Sequence, residues 1–254
     1  MPDGPARTAI DDLVDPVRPA DPDATASATE RLASLAVPPG SLGRLGDLGV
    51  RLAGIAGTSP VRAGADLTAA RIDDGADLIA TGDLGIANTT ASACLIAAFT
   101  GRPSADVTGP GAANPPDVIA HKAEVVRRAL ARHGADRDPL ATLASRGGAE
   151  HAALVGVVLA AAARRVPVVL DGVIAVAAAL ATVRLCPAAA DVLIAGHRSA
   201  EPGATAALED LGLDPLIDLA LALGEGTGAV LAVPVVRSAA AVIGEIALLV
   251  DVAT

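Results

Sequence analysis

The chain has 254 residues, a formal net charge of -10, 52% apolar side chains and one aromatic residue, Phe99. Such a length suits one large domain with a sizeable core. The acidity argues against a nucleic-acid backbone as partner, and the missing aromatic faces argue against base stacking. No apolar run is long enough for a membrane span, because Asp171 interrupts 166–183 and Arg237 and Glu245 punctuate the last segment. The start, Met1 to Asp12, is charged and has no apolar h-region, so no secretory signal is read. Cys94 and Cys186 match no disulfide or metal spacing and suit a reducing, cytoplasmic compartment.

Residues 1–24, rich in Pro, Asp and Ala, read as a disordered tail, and 25–254 as one α/β domain. A helix is expected over 26–36, ended by Pro38-Pro39-Gly40, and a second over 41–53 with Ser41 as its N-cap. Residues 57–66 read as a loop, followed by a short helix from Leu67 to about Gly75. From there short apolar runs alternate with helical patterns. Strands are expected at 76–80, 166–170 and 191–195, and helices at 89–100, 122–133, 149–164, 173–183, 202–211, 214–223 and 227–250. Repeated strand–helix alternation predicts a parallel sheet with helices on both faces, Rossmann-like, with a small helical annex from the N- and C-terminal helices. Polar residues at the carboxyl ends of such strands gather at one edge, which selects Asp83, Asp171 and His197-Arg198-Ser199 together.

Four segments have the composition of sites. Gly82-Asp83-Leu84-Gly85-Ile86-Ala87-Asn88-Thr89-Thr90 is a glycine-bearing loop between a strand and a helix. It is either a cradle of backbone N–H groups for an anion or a plain turn capped by Asn88 or Thr89. Arg146-Gly147-Gly148 precedes a helix whose first turn holds His151, read as a surface histidine. Ala195 to Gly203 joins donors, a hydroxyl and a helix start at a strand end. Leu223-Gly224-Glu225-Gly226-Thr227-Gly228 sets one carboxylate among glycines between apolar helices. Glu225 is thus either a helix-junction cap or a general base in a partly dry pocket, where desolvation raises a carboxyl pKa. Lys122 at an expected helix start opposes the helix dipole, which points to an anion nearby or else to an ordinary solvated lysine. No clustered metal ligands and no cofactor motif are seen.

Taken in order, these pieces resemble the nicotinate-nucleotide–dimethylbenzimidazole phosphoribosyltransferase family. The matching segments are Pro38 to Leu45, Gly82 to Thr90, Gly147-Gly148, Pro167 to Ala178, Ala195 to Gly203 and Leu223 to Ala229. The resemblance implies transfer of phosphoribose from nicotinate mononucleotide to a benzimidazole-type base, in making the lower ligand of cobalamin. It implies Glu225 as the catalytic base and a nucleotide site from Asp83, Gly85, Ile86, Asn88, Thr89, Lys122, Gly147, Gly148 and Ser199. It also implies a homodimer without a cofactor. The chain departs from the pattern in three places. Between about Gly57 and Leu67 it lacks a block that carries much of the benzimidazole pocket. Asp83 stands where the family has Glu, and Ala87 where it has Gly. The segment Gly109 to Pro116 replaces one that usually holds acidic residues. The alternative reading is a non-catalytic or truncated relative that binds a nucleotide or pairs with a full-length paralogue.

Overall fold

The computed structural model describes residues 60–111, 114–133 and 138–245. The tail at 1–24 and the helices expected at 26–36 and 41–53 lie outside them.

Helix α1 spans Pro60–Asp73, where the sequence predicts a loop followed by a short helix. Pro60 at a helix start costs no hydrogen bond, since the first N–H groups lack intrahelical acceptors. The glycine that reads as a loop signal here serves helix packing. A Cβ on Gly64 would stand 1.9 Å from the Ala153 carbonyl oxygen. Across the same contact, a Cβ on Gly156 would stand 1.8 Å from the Val61 oxygen. Both glycines let α1 lie directly on α6, Ala149–Ala163.

The sheet has three parallel strands, β1 (Ile79–Ala80), β2 (Val168–Leu170) and β3 (Leu193–Ala195), in chain order. Ala80 pairs with Val169, and Val169 with Ile194. Between β1 and β2 run α2 (Asn88–Thr100), α3 (Ser104–Val107), α4 (Pro116–His133), α5 (Pro139–Arg146) and α6. Of these, α3 and α5 are not legible in the sequence. Helix α4 begins six residues before the predicted 122, with Pro116 at its start, so Lys122 sits inside a helix. The dipole argument for that lysine therefore does not hold.

Helix α7 (Val173–Leu185) is buried at every residue from Val173 to Thr182. Alternation sorts the central strand. Val168 and Leu170 join the core of α2, α7 and α8 (Pro202–Leu211), while Val169 faces Ala229 and Ala232. Those two alanines belong to α9, Thr227–Glu245. Strands in chain order place both crossovers on one face, and α9 covers the other. The first half of α9 thus packs on the sheet itself and is not part of an annex. The described fold is mostly helical, with a small three-stranded parallel sheet. No helix among the described residues is long and apolar enough to cross a membrane.

The helix predicted at 214–223 is absent. Pro215 disfavours a helical conformation at Asp214, and the segment runs extended beside the exit of β3. The Leu216 N–H donates to the Ala195 oxygen (2.9 Å), and the Ile217 oxygen accepts from Arg198 (2.9 Å).

Gly156→Ala tests the α1–α6 contact. The added methyl has favourable helix propensity but no space, so a loss of about 1–3 kcal/mol is expected. That lowers the thermal midpoint by about 2–4 °C per kcal/mol. An unchanged melting curve would contradict the close approach.

Candidate active site

The carboxyl end of β1 opens onto a cleft of about 410 Å³, lined by Ala80, Thr81, Gly82, Asp83, Leu84, Glu225, Gly226 and Val230. Two loops form it. The loop after β1 and the loop before α9 touch through their backbones: the Asp83 N–H donates to the Gly224 oxygen at 2.8 Å. The approach leaves no room for a side chain at position 82, where a Cβ would lie 2.5 Å from the Gly226 nitrogen.

Behind the cleft stands Asp171, the residue that closes β2, with no solvent exposure. Its Oδ2 accepts from the Gly226 N–H (3.0 Å) and its Oδ1 from the Ala229 N–H (2.9 Å). These donors belong to the start of α9, where the positive end of the helix dipole favours an anion. The Asp171 N–H donates to Thr81 Oγ1 (3.3 Å), which itself donates to the Val169 oxygen (3.1 Å). Asp171 and His197, both selected as strand-end residues, do meet: His197 Nε2 lies 3.5 Å from Asp171 Oδ1. The imidazole is 1% exposed, and neither ring nitrogen has a hydrogen-bond partner.

Glu225 lines the cleft but is exposed, not set in the partly dry pocket that the sequence suggests. Leu84 (64% exposed) and Val230 (61%) stand bare in the same lining. No described residue supplies the wall that would shield an acceptor against Glu225.

Asp83 is half-buried, and Asn88 Nδ2 donates to its Oδ2 at 2.5 Å. Burial raises its carboxyl above the ordinary range, the Asn88 hydrogen bond pulls it back, and the nearby Glu150 carboxylate pushes it up again. Gly85 and Ile86 are exposed in the same loop. Neither Asn88 nor Thr89 caps α2. The N-cap position belongs to Ala87, which makes no capping bond, while Asn88 turns to Asp83 and Thr89 to Lys122. That leaves the helix start open to an anion, as a cradle requires. Ala87 holds φ at +66°, left-handed backbone. The glycine expected there by resemblance would adopt it without strain.

Gly148 connects to this loop. Its N–H donates to His151 Nδ1 (3.2 Å), His151 Nε2 and Ser92 Oγ share a 2.8 Å hydrogen bond, and Ser92 donates to the Asn88 oxygen (3.1 Å). His151 is fully buried, not a surface residue.

Lys122 and Ser199 form a second, adjoining group outside the cleft lining. Lys122 Nζ donates to Thr89 Oγ1 (3.0 Å) and to the Gly109 oxygen (2.8 Å). Burial lowers the pKa of its ammonium, and the Glu201 carboxylate raises it in part. Glu201, missed by sequence reasoning, is 7% exposed. Its Oε1 accepts from the Gly111 N–H (2.6 Å), and its own N–H donates to Ser199 Oγ (3.3 Å). Asn88 and Thr89, neighbours on α2, link the two groups.

The chain matches the sequence model of the family DBI_PRT, described as "Phosphoribosyltransferase", over residues 17–63 and 59–252. It belongs to this family. The two matched pieces meet at 59–63, inside the stretch where the sequence lacks an intervening block. It is 56% identical over 177 residues to the nicotinate-nucleotide–dimethylbenzimidazole phosphoribosyltransferase of Salinispora tropica, covering 69% of this chain and 49% of the relative. For the enzyme of that name from Chloroflexus aggregans the figures are 53%, 69% and 50%. Among solved structures it resembles CobT from Thermus thermophilus, with a TM-score of 0.71 and 45% identity over 73% of this chain and 56% of that one. A second structure, a nicotinate-nucleotide–dimethylbenzimidazole phosphoribosyltransferase from the same organism, matches at a TM-score of 0.68 and 30% identity over 88% and 96%. The chain spans about half the length of the curated relatives it matches.

Two outcomes are expected. Ala87→Gly relieves left-handed strain of about 1–2 kcal/mol against a smaller entropic loss. A net gain of up to about 1 kcal/mol should appear in urea denaturation; a loss would refute the strain. For Asp83, a raised folded-state pKa means that the folded protein holds more protons than the unfolded chain between the two values. Stability therefore falls as pH rises from about 3.8 through the raised value. Asp83→Asn should flatten that decline in denaturation midpoints measured across the range; parallel slopes would show that Asp83 does not cause it.

Proposed function

We propose that the chain transfers phosphoribose from nicotinate mononucleotide to a benzimidazole-type base, giving α-ribazole phosphate and nicotinate for the lower ligand of cobalamin. The observation that carries this reading is the shared cleft. Asp83 and Glu225, from loops far apart in sequence, line one cavity at the carboxyl end of β1. The open start of α2 and the ammonium of Lys122 lie alongside through Asn88 and Thr89.

The chemistry suits these groups. The bond that breaks joins the ribose anomeric carbon to the pyridinium nitrogen of nicotinate. Its electron pair returns to the ring and neutralises the positive charge, so the leaving group needs no proton. The bond that forms joins the same carbon, from the opposite face, to a benzimidazole nitrogen. That ring must shed one N–H proton, and Glu225 takes it. The Gly82–Thr90 loop and Lys122 hold the nucleotide, with the open N–H groups of α2 and the ammonium as partners for its anionic groups. Gly148 and Ser199 brace these elements through His151 and Glu201, while Gly147 closes α5 by donating to the Leu143 oxygen. The sheet is Rossmann-like, and the protein works in the cytoplasm as a homodimer.

Two observations favour a second reading. Glu225 is exposed, and the chain spans about half the length of the curated relatives it matches. A chain that binds nicotinate mononucleotide without turning it over, or that needs a full-length paralogue to cover the acceptor, fits the same geometry.

Mixing the protein with nicotinate mononucleotide and 5,6-dimethylbenzimidazole should release nicotinate, measured by chromatography. Glu225→Gln should lower kcat by about 10²–10⁴. An unchanged rate in that variant rejects Glu225 as base. Calorimetric binding of nicotinate mononucleotide with no release from a panel of benzimidazoles would favour the second reading.

A further inference from the structure

Glu225 has an address but little local means of keeping it. It precedes Gly226, whose φ of +92° is a conformation that glycine tolerates but does not enforce. The side chain is exposed. What fixes the loop lies beneath it, in Asp171. Each oxygen of that buried carboxylate accepts one backbone N–H from the residues just after Glu225, Gly226 at 3.0 Å and Ala229 at 2.9 Å.

We infer that Asp171 is the positioning residue for Glu225, acting through the backbone of Gly226 and Ala229 as an anionic clamp on the start of α9. Three observations make this more than helix capping. The carboxylate comes from a different element, the central strand, so it sets α9 against the sheet and not merely its own first turn. It has no solvent exposure, and charge-assisted bonds of this kind gain strength where water is excluded. The approach is also closed by His197, whose ring occupies the space that a side chain at 228 would need: a Cβ there would stand 1.9 Å from His197 Cδ2. Ring and carboxylate together leave the first turn of α9 one seat, and Glu225 is held at its edge. Asp171 is not itself in the cleft lining but holds two residues that are, Gly226 and Thr81, so it acts on turnover through the loop that carries Glu225.

The inference rests on the proposed reaction, and its test separates the two. In Asp171→Asn the shape is kept, but one acceptor oxygen becomes an NH2 group facing a backbone N–H. Amide hydrogen exchange at Gly226 and Ala229 should accelerate at least tenfold, whether or not the chain turns over. With turnover, kcat should fall about tenfold or more, while KM for nicotinate mononucleotide stays within about twofold. In the Glu225→Gln background the same substitution should cost nothing further, because the group being positioned is gone. Unchanged exchange at Gly226 and Ala229 would overturn the clamp. An equal kcat penalty with and without Glu225 would overturn the positioning role. A parent protein that protects both amides but releases no nicotinate would fail the proposed reaction and leave the clamp standing. If Asp171→Asn does not fold, the parent decides: Gly226 and Ala229 must exchange at least tenfold slower than the exposed Ile86 amide, and equal rates reject the clamp.

Discussion

Everything near the cleft depends on where one negative charge is buried. A carboxylate at the end of a central strand, away from water, costs several kcal/mol unless its oxygens find donors. Asp171 finds them at the start of α9, with the His197 ring alongside at 3.5 Å. Its own N–H is taken by Thr81, at the end of the next strand. A single residue thus ties β1, β2 and α9 at the edge where the strands end. The Glu225 loop and the Asp83 loop then meet through one backbone hydrogen bond, from Asp83 to Gly224.

The Lys122 group shows the same economy with opposite sign. Its ammonium is surrounded by neutral acceptors, Thr89 and the Gly109 carbonyl, with Glu201 as the nearby countercharge. Glu201 is occupied in turn by the Gly111 N–H. The cation is therefore held, not neutralised outright, in a partly desolvated place. An anionic ligand arriving there would find a donor whose hydration has already been partly removed.

Much of this was legible in the sequence, and the failures have physical causes. Apolar runs ending in Asp or His marked β2 and β3 because a buried parallel strand is apolar on both faces, and their ends gather as strand ends must. Glycine was the misleading letter. Gly64 looked like part of a loop because glycine weakens isolated helices, yet here it lets two helices touch. Residues 214–223 looked helical because their apolar spacing permits it, yet backbone bonds to β3 and the proline decide otherwise. Lys122 was singled out for a helix dipole it does not face, since Pro116 begins the helix earlier. Local spacing names elements; it does not say which donors a buried charge will recruit. The Glu201 partnership and the two-handed hold of Asp171 depend on such recruitment.

The sheet's two margins are unlike. Beyond β3, the extended segment near Ile217 takes up backbone groups of Ala195 and Gly196. Beyond β1 the described residues add no strand, and β1 is only two residues long. Such a sheet is modular on one side. Pairing is between neighbours, so strands joined at the β1 margin could be gained or lost without disturbing the ladder between β2 and β3. The block that the resemblance finds missing, at about 57–67, falls at the start of α1, in the part of the chain that leads into this divisible margin. The interior clamp stands one strand in from that margin, at the end of β2, and its hold on α9 uses donors from the other side of the chain, Gly226 and Ala229.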